Sequence, residues 1–307
     1  MPFLCALIAM SLPKELVYFQ YSQVHMGGQV QISGYAQSAE QGKAASEAAF
    51  KRFAELEQIM SDYRANSELS VFCASAGKGP QKISHELFGF LEQAKWFSEL
   101  SGGAFDLSCG PLVQLWREAR KTGRLPDPQK LVFARSLVGY QHLLMDPITM
   151  SASLAKPGMK VDLGGIGKGI GCSEAIEKLT EFGVERALVE AGGDMEASGP
   201  PPGKLGWKVQ VRGVKHPPIW LKNQGLSTSG DSEQYVEVKG VRYSHIVDPR
   251  TGYGITNRKQ ASVLARYARW TDALATALCI LPEDEGVELA SKFGAKTIFG
   301  YPAKAVR

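Results

Sequence analysis

Cysteine is scarce in this sequence, and the few cysteines that occur are widely separated. There are five in 307 residues, an odd number, and no two of them form a Cys-x-x-Cys pair. Such pairs mark many zinc sites, and a disulfide framework needs a dense, even set of cysteines. The sequence therefore predicts neither a zinc site nor a disulfide-stabilised domain. The cysteines are Cys5, Cys73, Cys109, Cys172 and Cys279.

Long apolar runs, internal repeats and a large excess of one charge are also missing. No stretch of about 18 residues is continuously apolar, so the sequence predicts no transmembrane segment. The formal net charge of +4 is too small to indicate a nucleic-acid-binding protein, although it suits an anionic small-molecule ligand. The length of 307 residues and the charged fraction of 21% are those of a globular chain with one large domain or two modest ones.

The first residues allow two interpretations. Residues 3–10 are apolar, like the central part of an export signal, but a basic segment before them and a small-residue cleavage site after them are missing. The stretch is either a degenerate export signal or only an apolar leader. We predict a leader over residues 1–20 and one domain over residues 21–307.

Apolar residues recur at helical spacing in some segments and alternate in others. Helices are predicted at residues 38–60, 84–101 and 131–138, and a further one follows the glycines at 164–169 and ends at Phe182. Strands are predicted at residues 16–35, with a break at 26–28, within 143–159, at 186–190 and at 207–211. Residues 122–129 contain two prolines and a glycine, which predicts a surface loop. Because strands and helices do not alternate regularly, the pattern predicts an α+β fold.

A glycine-rich segment, DLGGIGKG, occupies residues 162–169. A phosphate-binding loop would need glycine where Asp162 stands and serine or threonine after Lys168, and the dinucleotide fingerprint fails at Ile170. Two general points remain: glycines let the backbone approach an anion, and a helix N-terminus favours negative charge. A tight turn from strand to helix explains the glycines equally well.

Two polar side chains stand four residues apart in a run rich in alanine and leucine. Asp272 and Thr276 would lie on one face of a helix, one turn apart. A carboxylate and a hydroxyl in this arrangement can hold a hard cation such as Mg²⁺ through oxygen. The alternative is that Asp272 is the N-cap of the helix and Thr276 packs in the core.

Nine segments, in order, together resemble the FAD:protein FMN transferases, also called ApbE-type flavin transferases. They are HMG at 25–27, MSDYR with SEL at 60–69, GGAFD at 102–106, GPLV at 110–113, DLGGI with KG at 162–169, AGGD at 191–194, STSGD at 227–231, HIVDPRTG at 245–252 and DALATAL at 272–278. The resemblance covers roughly residues 21–282. It implies an ApbE-type, T-fold-like α+β domain with mixed or antiparallel sheets and packed helices.

The resemblance also implies an activity and its partners. Enzymes of this family use Mg²⁺ to cleave FAD, attach FMN through a phosphoester to a threonine or serine hydroxyl of an acceptor flavoprotein, and release AMP. Some members hydrolyse FAD to FMN and AMP, so an FAD pyrophosphatase is one alternative, and a flavin-binding protein without catalysis is another. The family is typical of the cell envelope.

Residue roles follow from the same resemblance. The FAD site would be lined by Met26, Tyr63, Ala104, Phe105 and Asp106, contacted through Asp162 and Lys168, and closed by the segment around Ile246. The metal would be held by Asp272, Thr276 and the backbone carbonyl of Gly165. His245 would be the base that takes the proton of the acceptor hydroxyl, with Asp248 as the alternative base. Gly28, Gly167 and the Gly171-Cys172 pair depart from the family pattern.

Overall fold

A computed structural model of the chain describes residues 15–211, 213–231 and 234–301. The apolar stretch at residues 3–10 lies outside these ranges. The first strand begins at Val17, so the predicted boundary between leader and domain at residue 21 falls inside a strand. No helix in these ranges is both long enough and apolar enough to cross a membrane.

Eight α-helices lie in the described part of the chain. They are α1 (Ala39–Met60), α2 (Glu68–Ala74), α3 (His85–Leu100), α4 (Gly110–Thr122), α5 (Pro128–Ser136), α6 (Gly167–Glu181), α7 (Ala268–Ile280) and α8 (Glu283–Ser291), with one 3₁₀ turn at Tyr140–His142. Side-chain caps begin several of them: the Ser38 oxygen accepts from the Gln41 N–H and the Ser84 oxygen accepts from the Leu87 N–H. These two caps confirm the predicted helices at 38–60 and 84–101.

The predicted loop at 122–129 is too long, because α5 already begins at Pro128. Proline is tolerated in the first helical position, where its missing N–H would have no partner in any case. The preceding Asp127 carboxylate caps the helix by accepting from the N–H groups of Gln129 and Lys130. The aspartate-proline pair therefore starts a helix here rather than extending a loop.

Fourteen strands are found in the same ranges. They are β1 (Val17–His25), β2 (Gly28–Ala36), β3 (Gln81–Lys82), β4 (Leu143–Asp146), β5 (Ser151–Leu154), β6 (Arg186–Ala191), β7 (Asp194–Ala197), β8 (Trp207–Val209), β9 (Ile219–Leu221), β10 (Gln224–Ser229), β11 (Tyr235–Val238), β12 (Val241–Ser244), β13 (Gln260–Ala265) and β14 (Lys296–Gly300). Seven of them form an antiparallel sheet in the order β1-β2-β6-β7-β10-β13-β14. The predicted α+β class is confirmed.

The break predicted at residues 26–28 is the turn of the β1–β2 hairpin. His25 pairs with Gly28, so only Met26 and Gly27 form the loop, and both have positive φ angles of 50° and 75°. A two-residue turn of this hand matches the twist of the strands, but it is unfavourable for methionine. The Met26 N–H is held by the Glu57 carboxylate of α1, which stabilises this backbone at the end of the hairpin.

Three helices pack side by side across the sheet. Helix α6 lies between α1 and α7, and the three cover successive strands: α1 packs on β1 and β2, α6 on β6 and β7, and α7 on β10 and β13. Their apolar faces contribute to two buried clusters, with Phe53 of α1 in one and Ile170 of α6 and Leu274 of α7 in the other. This layer brings the N-terminus of α6 against the middle of α7.

The contact between α6 and α7 depends on Gly169. A Cβ atom at this position would lie 2.3 Å from the Ala268 carbonyl oxygen and 2.7 Å from the Asp272 Cβ. We expect Gly169→Ala to lower the free energy of unfolding by about 1–3 kcal/mol, since overpacking against backbone outweighs a helix-propensity gain of about 1 kcal/mol or less. Chemical denaturation measures the change.

The matched control is Gly89→Ala in α3, where a Cβ atom would meet nothing within 4 Å. Only the propensity gain remains there, so we expect this variant to be slightly more stable than the wild type. If both variants are stabilised, the helices do not require the close approach at Gly169.

Candidate active site

The carboxylate of Asp272 lies at the N-terminus of α6. Its Oδ2 accepts a hydrogen bond of 2.9 Å from the Gly169 N–H. Asp272 is in the second turn of α7, whose N-cap position is occupied by Tyr267, so the interpretation of Asp272 as the N-cap of its own helix is wrong. The N-terminus of α7 is served instead by the buried Glu196, which accepts from the Ala268 N–H at 2.7 Å. The N-termini of α6 and α7 are thus both capped by carboxylates from distant parts of the chain, Asp272 and Glu196.

Three charged side chains meet beside this helix terminus. The Lys168 ammonium forms an ion pair with the Asp194 carboxylate at the start of β7. Burial, together with the Asp194 charge, raises the pKa of Asp272 to about 7, although Lys168 and the helix N–H groups oppose the shift. Burial lowers the pKa of Lys168, but the two carboxylates outweigh it and raise the pKa, so the ammonium stays charged. The cluster therefore offers a fixed cation beside a carboxylate that a second cation would ionise.

The half-buried Thr276, one turn after Asp272, lies beside the Ser229 hydroxyl and Gly165. The Thr276 Oγ1 lies 3.4 Å from the Ser229 Oγ and 3.1 Å from where a Cβ of Gly165 would stand. Gly165 and Thr276 are thus brought together, as predicted. Within the described ranges no three histidine, cysteine or acidic side chains converge, so the candidate metal ligands are the Asp272 carboxylate and the Thr276 hydroxyl, with the Gly165 carbonyl that the family resemblance adds. This donor set fits Mg²⁺, which takes one or two carboxylates and fills its other positions with water or phosphate.

The Asp162 carboxylate is buried and bound on both oxygens. Its Oδ1 accepts from the Gly164 N–H at 2.7 Å, and its Oδ2 accepts from the Arg117 guanidinium at 2.9 Å. Burial and the nearby Asp62 raise the pKa of Asp162, while Arg117 lowers it. Asp162 thus shapes the loop before α6, and Gly164 at its turn is exposed.

The other residues predicted to line an FAD site differ in accessibility. Tyr63 is 76% exposed and Met26 is half-buried, whereas Ala104, Phe105 and Ile246 are buried in the main apolar cluster. Phe105 lies against Gly165, with its ring edge 3.3 Å from where a Cβ would stand.

Asp106 is also buried, and its carboxylate accepts bonds from the Ser108 N–H and hydroxyl and from the Tyr140 N–H. These contacts make Asp106 a support for the loop between α3 and α4. Its contact with FAD stays a prediction.

His245 follows β12 and is half-buried. Its Nδ1 lies 3.1 Å from the Gln234 carbonyl oxygen, which also accepts from the His245 N–H at 3.0 Å. A carbonyl oxygen only accepts, so Nδ1 carries the proton and Nε2 keeps its lone pair. Burial lowers the pKa of His245 below the ordinary value of 6.5, although the hydrogen bond to the Gln234 carbonyl raises it; Arg120 and Lys168 add to the lowering and Asp231 opposes it. The ring is therefore neutral at neutral pH and can accept a proton at Nε2.

Asp248, the alternative base, is engaged in its own turn. Both carboxylate oxygens pair with the Arg250 guanidinium, at 2.9 and 3.0 Å, and Oδ1 also accepts from the Arg250 N–H. This geometry favours a structural role for Asp248.

Two site residues were not predicted. Asp194 directly follows the two glycines that end a buried strand, and a polar residue in that position is a signal for a site. Arg117 stands in the middle of α4, and its partners are 45 and 55 residues away in the chain, so no local pattern indicates its role.

Comparison with known proteins gives consistent matches. The ApbE family model matches residues 26–299. The FAD:protein FMN transferase of Treponema pallidum is 33% identical over 285 residues, which cover 86% of this chain and 79% of that protein.

Solved structures are similar over nearly the full length. A variant of the flavin transferase ApbE from Vibrio cholerae, in which a histidine is replaced by glycine, matches with a TM-score of 0.82 and 30% identity, covering 93% of each chain. The ApbE protein of Thermotoga maritima also gives a TM-score of 0.82 and 30% identity, covering 92% of this chain and 94% of that chain.

Proposed function

The chain belongs to the ApbE family, and we propose that it joins the FMN half of FAD to a threonine or serine hydroxyl of an acceptor protein. It is an enzyme, an FAD:protein FMN transferase. In the proposed reaction the acceptor oxygen forms a bond to the FMN phosphorus, the pyrophosphate bond breaks, and AMP leaves. The hydroxyl proton goes to the protein.

The observation that carries the transfer reaction is the hydrogen bond between the His245 Nδ1 and the Gln234 carbonyl. It fixes the neutral tautomer whose Nε2 keeps its lone pair, and this nitrogen can take the proton of the incoming hydroxyl. The lowered pKa keeps this base unprotonated at neutral pH. The backbone N–H of His245 bonds to the same carbonyl, so the ring is anchored to the start of β11.

The cluster at the α6 N-terminus would receive the pyrophosphate. The Lys168 ammonium has three donors, and the pair with Asp194 uses one of them, so it can also donate to a phosphate oxygen. Asp272, Thr276 and the Gly165 carbonyl would hold Mg²⁺, which supplies neutralising charge to the pyrophosphate oxygens when bound.

The direct test supplies FAD, Mg²⁺ and a peptide with one acceptor threonine, and measures the peptide mass. We expect the peptide to gain FMN and AMP to appear in equal amount. The control peptide has valine in place of the threonine and should gain nothing. AMP and free FMN without peptide modification would indicate the FAD pyrophosphatase instead.

The proposed site also predicts a preference between flavins. FAD should bind more tightly than FMN, because only FAD carries the pyrophosphate that Lys168 and the metal ligands would contact. Calorimetry with both ligands in the presence of Mg²⁺ measures the difference, and we expect Lys168→Met to reduce it. Equal affinities would point to a site that recognises only the isoalloxazine ring, as in a flavin-binding protein without catalysis.

A further inference from the structure

Arg117 ties together two segments that approach the proposed FAD site from different parts of the chain. One of its terminal nitrogens donates to the Asp62 carboxylate in the turn after α1, and the other donates to Asp162 in the loop before α6. The Arg117 side chain is only 17% exposed, so solvent screens these pairs weakly. A lysine would present its donors from a single nitrogen, without the planar fork by which two separate guanidinium nitrogens reach the two carboxylates.

The same guanidinium lies over an aromatic ring. The Arg117 Cζ is 4.1 Å from the centroid of the Tyr63 ring, the geometry of a cation–π contact. Tyr63 is nevertheless 76% exposed, so only one face of its ring is covered. A ring held in place from one side, with its other face open, is suited to stacking on a planar ligand ring.

We propose that Arg117 is a positioning residue for FAD, which holds the Tyr63 ring and the Asp162 loop in the geometry that stacks and orients a planar ring of the dinucleotide. The inference rests on the proposed function, since it takes FAD as the ligand. In this proposal Arg117 acts through the Tyr63 ring and the Asp162 loop and not on the reacting phosphorus. Its loss therefore weakens FAD binding and leaves the chemical step at saturating FAD largely intact.

The competing explanation is that Arg117 only neutralises two partly buried carboxylates. Its loss would then lower stability, and its effect on FAD binding would be independent of Tyr63. A double-mutant cycle separates the two explanations, because residues that act through each other give non-additive effects.

The experiment measures the Kd for FAD, kcat and KM in Arg117→Met, Tyr63→Ala and the double variant. We expect each single change to raise Kd by roughly tenfold, within the usual range of such couplings, with kcat changed by less than about twofold. The Kd of the double variant for FAD should be no higher than the higher of the two single-variant Kd values. Additive losses, or an unchanged Kd in Arg117→Met, would overturn the inference.

Two further variants complete the experiment. Arg117→Lys keeps the charge and should still lose FAD affinity, and it replaces Arg117→Met in the measurements if Arg117→Met does not fold. Arg52→Met is the matched control, because the Arg52 guanidinium joins Glu86 and Glu174 in a comparable network and its side chain is 11% exposed. We expect its Kd for FAD to equal that of the wild type.

The ligand ring is identified with ADP and FMN as separate probes. A loss of affinity for ADP alone in Tyr63→Ala places the adenine ring on Tyr63, and a loss for FMN alone places the isoalloxazine ring there. Unchanged affinity for both overturns the inference. If the wild-type protein binds no FAD, both the proposed function and this inference are wrong. If the wild type binds FAD and the losses of affinity in the two single variants are additive, only the role of Arg117 is rejected.

Discussion

Replacing His245 with alanine is expected to lower the rate of FMN transfer by about 10²- to 10⁴-fold, the usual contribution of a general base. The affinity for FAD should be unchanged, because a neutral imidazole adds little to the binding of a pyrophosphate. Transfer is measured as FMN incorporated into an acceptor peptide, and affinity by calorimetry. A variant with near-normal transfer would show that another group is the base.

Two variants control this result. His216→Ala removes another histidine whose Nδ1 faces a backbone carbonyl, that of Pro217 at 2.6 Å, and should leave transfer unchanged. Asp248→Asn should also retain most of the transfer rate, since the pairs with Arg250 give that carboxylate a structural role. If transfer is lost in Asp248→Asn and kept in His245→Ala, the two assignments must be exchanged.

The pH dependence of wild-type transfer follows from the same imidazole. Burial lowers the pKa of His245 below 6.5, so the protonated, inactive form accumulates only at acidic pH. We expect the rate to rise with pH through this lowered pKa and to be constant above it. His245→Ala should lack this rise. A rise centred well above 6.5 in the wild type would contradict a buried, neutral imidazole as the base.

Replacing Asp272 with asparagine is expected to abolish Mg²⁺-dependent FAD cleavage, a loss of roughly 10³-fold or more if the metal supplies several kcal/mol. Asparagine keeps an oxygen that can accept from the Gly169 N–H, so the α6 N-terminus stays satisfied while the charge is lost. Cleavage is measured as AMP released from FAD at increasing Mg²⁺ concentrations, and folding by thermal denaturation.

Asp272→Ala separates the two roles of this carboxylate. It leaves the Gly169 N–H without its partner, so we expect an additional destabilisation of about 1–3 kcal/mol. Asp146→Asn is the control, since Asp146 also accepts a backbone N–H, that of Ile148, but is only half-buried and lies outside the cluster. If Asp272→Asn keeps full Mg²⁺-dependent activity, the carboxylate is only a helix cap.

Much of the fold could be predicted from local patterns. The helix after Ser38 depends on the spacing of its apolar residues and on a capping side chain. The hairpin around Met26 depends on a two-residue turn. All of these signals lie within a few residues along the chain. The α5 boundary was missed because proline was counted as a loop residue, although it is also a favourable first helical residue. The spacing of Asp272 and Thr276 likewise placed both on one helix, but it left two roles open for the carboxylate.

The sequence by itself determined the class of fold, the family resemblance and the pairing of Asp272 with Thr276 on one helical face, since each depends on the order and spacing of residues. Only the tertiary structure decided that Asp272 caps a different helix, from 103 residues away, and that Arg117 joins Asp62 to Asp162. The physical reason is that a buried ionised or hydrogen-bonding group needs a partner within the protein. Packing brings that partner from a distant part of the chain, so its identity does not appear in the local spacing of residues.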